Sequence, residues 1–178
     1  MIILLNGPPR TGKDSVARHL ASTLSFRHLK FATPLKAMTH AMYGIYYGSE
    51  AFDSVKDIKS PFFLGDTPRN AYIEVSEKMV KPVKGKDFFG RVALSTIERE
   101  KICGCNRIVF SDCGFAEEVK CLRHLQPILI RLHRAGHNFA GDSRDYIYDD
   151  NMPSIDLSGD DGLPALFVAV ERIVDDRS

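Results

Sequence analysis

At 178 residues, with 44% apolar and 26% charged content, the chain is large enough for one domain with a real core and has the make-up of an ordinary globular protein. A net charge of +1 excludes the overall basic field that announces a nucleic-acid binder, leaving room only for a local basic surface. No apolar run is long enough for a signal peptide or a membrane span, so a cytoplasmic location without membrane contact is expected.

The first fifteen residues carry the strongest signal. Ile2-Ile3-Leu4-Leu5 reads as a short buried strand. Gly7-Pro8-Pro9-Arg10-Thr11-Gly12-Lys13 then fits G-x-x-x-x-G-K, and Val16, Leu20 and Leu24 mark a helix over about 13–25. Strand, glycine loop, lysine and helix together are the context of a phosphate-binding loop. Gly7 and Gly12 let backbone N–H groups curl round a phosphate, and the helix that follows aims its positive end there. Lys13, expected on an exposed loop, adds a point charge on the β- and γ-phosphates. These residues predict a nucleoside triphosphate site. Where Ser or Thr usually follows the lysine to hold magnesium, the chain has Asp14 and then Ser15, which leaves open which side chain reaches Mg²⁺.

A second strand is expected at His28–Phe31. Thr33 and Pro34 then read as the cap and first position of a helix whose buried face is Leu35, Met38, Met42 and Ile45. Residues 49–66 read as loop. Asp66-Thr67-Pro68-Arg69 opens a helix with Tyr72, Val75 and Met79 inward, closed by Lys81-Pro82; a further helix runs to about Lys101 with Phe89, Val92, Ala93 and Ile97 inward. Arg107–Phe110 is a strand with Ser111 and Asp112 at its carboxyl end. A helix follows over about 115–124, then a strand over 127–132. The polar segment 133–149 leads to a last strand at 154–157 and an amphipathic helix marked by Leu163, Leu166, Phe167, Val170 and Ile173. Alternating strands and helices predict an α/β protein with a parallel sheet wrapped by helices. Cys103, Cys105, Cys113 and Cys121 lack the paired spacing of a zinc site and read as reduced thiols.

In its order of pieces the chain resembles P-loop nucleotide kinases, most of all the deoxynucleoside monophosphate kinases of bacteriophages. The matching stretches are GPPRTGKDS, FATPLKAM, DTPRNAY, GKDFFGRVAL and VFSDCGFAEEV; a G-K-D-[ST] ending occurs in some small-molecule P-loop kinases. The resemblance implies one kinase domain over 1–178, built on a five-stranded parallel sheet, with a lid-like segment at about 133–149. It implies ATP and Mg²⁺ as cofactors, a nucleotide acceptor, and a monomer or homodimer. On this resemblance the stretch from Gly7 through Pro8, Pro9, Arg10, Thr11, Gly12 and Lys13 to Asp14 and Ser15 holds the donor. Asp112 joins Asp14 and Ser15 at the metal, and Arg69 meets the acceptor phosphate. Arg131, Arg134 and Arg144 neutralise the transferring phosphoryl group.

One departure stands out. Many of these kinases carry an arginine two residues after the strand-end aspartate, where it helps hold the acceptor; here that position is Gly114. A second phage group phosphorylates the hydroxymethyl group of a modified uracil in DNA. That neutral acceptor needs no such arginine but requires a basic groove, for which Lys78, Lys81, Lys84 and Lys86 are the candidates, and a base such as Asp14 or Asp112. A nucleotide-binding switch is the third reading.

Overall fold

The computed structural model describes residues 1–177. Its centre is a sheet of five parallel strands, β1 (Ile2–Asn6), β2 (Arg27–Leu29), β3 (Ile108–Cys113), β4 (Ile128–His133) and β5 (Ser154–Ser158), in the spatial order β2-β3-β1-β4-β5. All five residues of β1 are buried, as a central strand with helices on both faces must be. Successive residues serve opposite cores. Ile3 and Leu5 pack with Val16, Leu20, Leu166 and Val170 of helices α1 (Lys13–Thr23) and α7 (Leu163–Asp175). Ile2 and Leu4 pack with Ala93, Ile97, Val119 and Leu122, from α5 (Phe88–Ile102) and from α6 (Ala116–Lys120) and the turn after it.

The register of β3 on β1 slips by one residue. Leu4 pairs with Phe110, but Asn6 pairs with Cys113, so Ser111 and Asp112 together oppose Leu5. Phe110 and Cys113, three apart, consequently point into the same core, which regular alternation forbids. Such a bulge re-aims side chains, here those of Ser111 and Asp112.

Beside the sheet, α2 (Ala32–Met42) and the helical run from Pro68 to Lys84 enclose a smaller core of Ile45, Phe52, Phe63, Ala71 and Tyr72. His40 is buried in it, 2.8 Å from the Tyr72 hydroxyl. Several expected details change. The buried face of α2 is Thr39 and His40, while Met42 is 57% exposed. Thr33 does not cap α2, which has no cap of its own. Thr67 does cap α3 (Pro68–Glu74), accepting from the Asn70 N–H. Lys81-Pro82 does not close that helix. It passes through a π-helical turn, Val75–Val80, into α4 (Lys81–Lys84), and the wider turn accommodates the N–H that Pro82 lacks. Met79 lies on the exposed side.

After β4 ends, the segment to residue 149 contains turns and no helix. The Asn6 side chain holds its far end, donating to the carbonyls of Cys113 (2.9 Å) and Asp145 (3.0 Å) and accepting from the Ile147 N–H (3.1 Å). The four cysteines are free thiols. Among the described residues no helix is long and apolar enough to cross a membrane.

Candidate active site

The loop Gly7–Gly12 leaves the carboxyl end of the central strand, where its neighbours β3 and β4 also end. A parallel sheet offers its crevice at that edge. Only glycine fits position 7: a Cβ there would fall 2.6 Å from the Leu132 carbonyl oxygen. At Gly12, φ is +99° and a Cβ would meet Leu163 at 3.2 Å, so a side chain would be both strained and crowded. Pro8 and Pro9 have no N–H, so apart from Gly7 the loop's backbone donors come from Arg10 onward. Gly12 begins α1 without a side-chain cap, leaving the first helical N–H groups free of one. Thr11 braces the loop by donating to the Pro8 carbonyl at 3.0 Å.

Lys13 differs from its sequence expectation. It is 8% exposed rather than solvent-facing, and its amine donates to the carbonyls of Gly7 and Pro8, both at 2.6 Å. Burial, with help from the Arg144 charge, pulls its pKa down to about 8. Arg10, at φ +67°, is exposed at the loop's tip, where its carbonyl accepts from Arg134 at 3.2 Å.

The bulge in β3 separates the duties of Ser111 and Asp112. Asp112 accepts from the backbone N–H groups of Phe31 (2.8 Å) and Ala32 (2.9 Å), one on each oxygen, and so supplies from another strand the cap that α2 lacks. Burial lifts its carboxyl above the usual range against those two hydrogen bonds. Ser111 turns the other way and donates to Asp14 Oδ1 at 2.8 Å. His28 on β2 lies 2.7 Å from the Ser111 oxygen. Because Ser111 spends its proton on Asp14, the His28 Nε2–H is the donor. Lys30 stands 3.5 Å from the same Asp14 oxygen and 3.1 Å from Glu50. Burial works to raise the Asp14 carboxyl, but the Ser111 hydrogen bond and the Lys30 charge outweigh it and hold it low. Ser15 is partly buried, 3.4 Å from Arg18.

Arg144 is the arginine of the 133–149 segment that reaches this centre. Its chain packs over Gly114, where a Cβ would fall 2.5 Å from Arg144 Cδ, and its guanidinium binds Asp142. Its charge is felt at Lys13 and Asp112. Arg69 pairs with Asp57, and its N–H donates to the Lys56 carbonyl at 2.9 Å. Burial first, then the Arg69 charge, lowers the Lys56 amine, and Arg144 adds to the effect. Lys56 thus feels the charges of both Arg69 and Arg144.

Arg131 does not join them. It is buried, bound to Asp156 at 2.8 and 2.6 Å and to the Ile147 carbonyl at 3.1 Å, and it braces the segment after β4. Lys81 lies over the Phe115 ring at 4.0 Å and pairs with Glu77, while Lys78 pairs with Glu74. Lys84 and Lys86 are exposed. The sequence reading missed Lys30, Lys56 and His28. Only the strand-end positions of His28 and Lys30 could have flagged two of them.

Among the described residues no three His, Cys, Asp or Glu side chains form a cage for a metal. The oxygen donors beside the loop, the Asp14 carboxylate and the Ser111 hydroxyl, fit magnesium of the kind nucleotides carry, which keeps several waters and takes one or two protein ligands besides phosphate oxygens.

No family model matches the sequence, and no curated protein matches it. Among solved structures, the chain is similar to a sugar kinase from Janibacter sp. HTCC2649, with TM-score 0.57 and 10% identity over 98% of this chain and 92% of that one. It is also similar to a candidate kinase from Chloroflexus aurantiacus j-10-fl, with TM-score 0.52 and 16% identity over 99% and 97%. The chain shares the fold of these two structures. At these identities the likeness extends to the fold alone, and the site residues stand on their own geometry.

Proposed function

We propose that the protein is a P-loop kinase that moves the γ-phosphoryl group of ATP, with Mg²⁺, to a nucleotide, foremost a free deoxynucleoside monophosphate. The observation that carries the acceptor class is Arg144 over Gly114. Many of the phage kinases whose motifs the sequence resembles carry an arginine at the position of Gly114, where it helps hold the acceptor. Here the aliphatic chain of Arg144 packs over that glycine, which leaves the space for it, and carries a guanidinium held by Asp142 into the same region.

In this reading the loop N–H groups and Lys13 bind the β- and γ-phosphates. Lys13 exchanges its two carbonyl partners for phosphate oxygens. Mg²⁺ would lie by the Asp14 side of the loop and supply charge neutralisation on the phosphates. Arg69, Lys56 and Arg144 draw in an anionic acceptor, and Arg134 closes on the loop tip. An acceptor monophosphate is already ionised at neutral pH, so cations rather than a base prepare it. Its oxygen bonds to the γ-phosphorus as the bond from that phosphorus to the β–γ bridging oxygen breaks and ADP leaves. Positioning and charge do the catalytic work.

The test offers γ-labelled ATP with Mg²⁺ to each deoxynucleoside monophosphate and, separately, to duplex DNA containing hydroxymethyluracil. Label in diphosphates is expected. Label in DNA alone, with binding that weakens steeply with salt, replaces the acceptor. Label only in inorganic phosphate makes the protein a nucleotide switch.

A further inference from the structure

P-loop proteins commonly hold magnesium with a hydroxyl on the loop and a carboxylate at the end of a neighbouring strand. Here the two chemical groups have changed places. The carboxylate, Asp14, directly follows the loop lysine, and the hydroxyl, Ser111, comes from the end of β3; the two are joined at 2.8 Å across 97 residues of sequence. The strand-end carboxylate that the sequence offers, Asp112, has each oxygen committed to a backbone N–H at the start of α2. Asp14, by contrast, has a side chain 55% exposed, and its contacts with Ser111 and Lys30 both fall on Oδ1.

We propose that the cation accompanying the donor triphosphate is held by this exchanged pair, the Asp14 carboxylate and the Ser111 hydroxyl, with His28 as the residue that positions Ser111. The assignment rests on the donor-site reading above and fixes which residues serve the metal there. His28 fits the positioning role because its Nε2–H, at 2.7 Å, occupies one lone pair of the Ser111 oxygen and directs the hydroxyl proton to Asp14. The other lone pair of Ser111 and the Oδ2 of Asp14 are what remain for a metal or its water. Lys30 is a competing cation, and it is shared with Glu50 at 3.1 Å and Asp53 at 3.7 Å. Lys36 also pairs with Asp53, so the three acids Asp14, Glu50 and Asp53 share two lysines. Asp112, in this assignment, is a cap whose loss loosens α2 and leaves the metal alone.

The experiment measures Mn²⁺ affinity by electron paramagnetic resonance, with the full chain saturated by the non-hydrolysable analogue β,γ-imido-ATP. Metal-free binding of the analogue and the thermal midpoint are followed in parallel. Asp14→Ser is expected to weaken Mn²⁺ at least about tenfold, with metal-free analogue binding within about threefold of wild type. Ser111→Ala and His28→Leu are expected to weaken it less, about threefold, and His28→Gln, which keeps a donor, to restore it. The reciprocal double variant Asp14→Ser with Ser111→Asp returns the pair to the common arrangement. It is expected to regain Mn²⁺ affinity lost in Asp14→Ser. Asp112→Asn should lower the midpoint and leave Mn²⁺ affinity unchanged. Unchanged Mn²⁺ affinity in Asp14→Ser, or a loss in a folded Asp112→Asn as large as the one expected for Asp14→Ser, overturns the assignment while the donor-site reading stands. A wild-type chain that binds neither the analogue nor Mn²⁺ with it overturns both.

Discussion

The two sides of the crevice are built in different ways. On the donor side the phosphate loop is fixed by backbone: Lys13 rests on the carbonyls of Gly7 and Pro8, Gly7 is pressed against Leu132, and Gly12 against α7. These contacts lie within the loop itself, on β4 and on α7. On the acceptor side the charges meet through side chains, Lys36 with Asp53 and Arg69 with Asp57, the latter pair 42% and 64% exposed. Large apolar groups also face solvent nearby, with Tyr46 99% exposed and Leu64 89%. Exposed ion pairs contribute about 0–1 kcal/mol each. The donor side is therefore set before any ligand binds, whereas the exposed Arg69–Asp57 pair can exchange its partners at little cost. In the proposed reaction an acceptor phosphate would displace Asp57 from Arg69 readily and Asp142 from the more buried Arg144 at greater cost.

Substitutions that test this contrast should fall in order. Lys13→Ala strikes the preformed side and should reduce phosphoryl transfer by about 1,000-fold or more. Its thermal midpoint should stay within about 3 °C of wild type, since removing a buried ammonium offsets leaving two carbonyls unpaired. A transfer rate near wild type would end the donor-site assignment.

Arg144→Ala joins the two sides and should cost about 100-fold in kcat/KM for the acceptor, with KM for ATP less affected. If the loss falls equally on both substrates, Arg144 serves the donor phosphates instead, and the acceptor argument from Gly114 loses its support.

The third test uses pH. In the free protein Lys13 carries its proton up to about pH 8, below its ordinary range because of burial. A bound triphosphate favours the charged amine and raises that value. Between the free and bound values binding takes up a proton, so affinity for ATP is flat below pH 8 and falls above it, by at most about tenfold per pH unit. Calorimetry in buffers of different ionisation enthalpy should detect the uptake near pH 8, and Lys13→Met should abolish it. Wild-type affinity that stays level through pH 9 would remove Lys13 from the phosphates.

Arg69→Ala acts on the adaptable side and should have the smallest effect, about tenfold in acceptor KM. Its midpoint should move by less than about 2 °C, because an exposed pair is all that is lost. A large fall in stability would show the Arg69 side chain to be a structural tie between α3 and the loop at Asp57.

The sequence by itself determined the strand–glycine loop–helix unit at its start and the order of strands and helices. Those features are local: two glycines and a lysine at fixed spacing, an apolar run before them, and apolar residues recurring at helical spacing after them. The parallel sheet followed from the alternation. Tertiary structure decided the partners. Asp112 caps α2, 81 residues away, and Ser111 meets Asp14, 97 away, because β2 and β1 lie on either side of β3 and a bulge turns adjacent side chains apart. Arg131 reads like a lid arginine but lies opposite Asp156 in the β4–β5 register, which claims it. Residue spacing encodes which face of an element is apolar. It does not encode strand order or register, and for a polar side chain it is the neighbour across the sheet that sets its work.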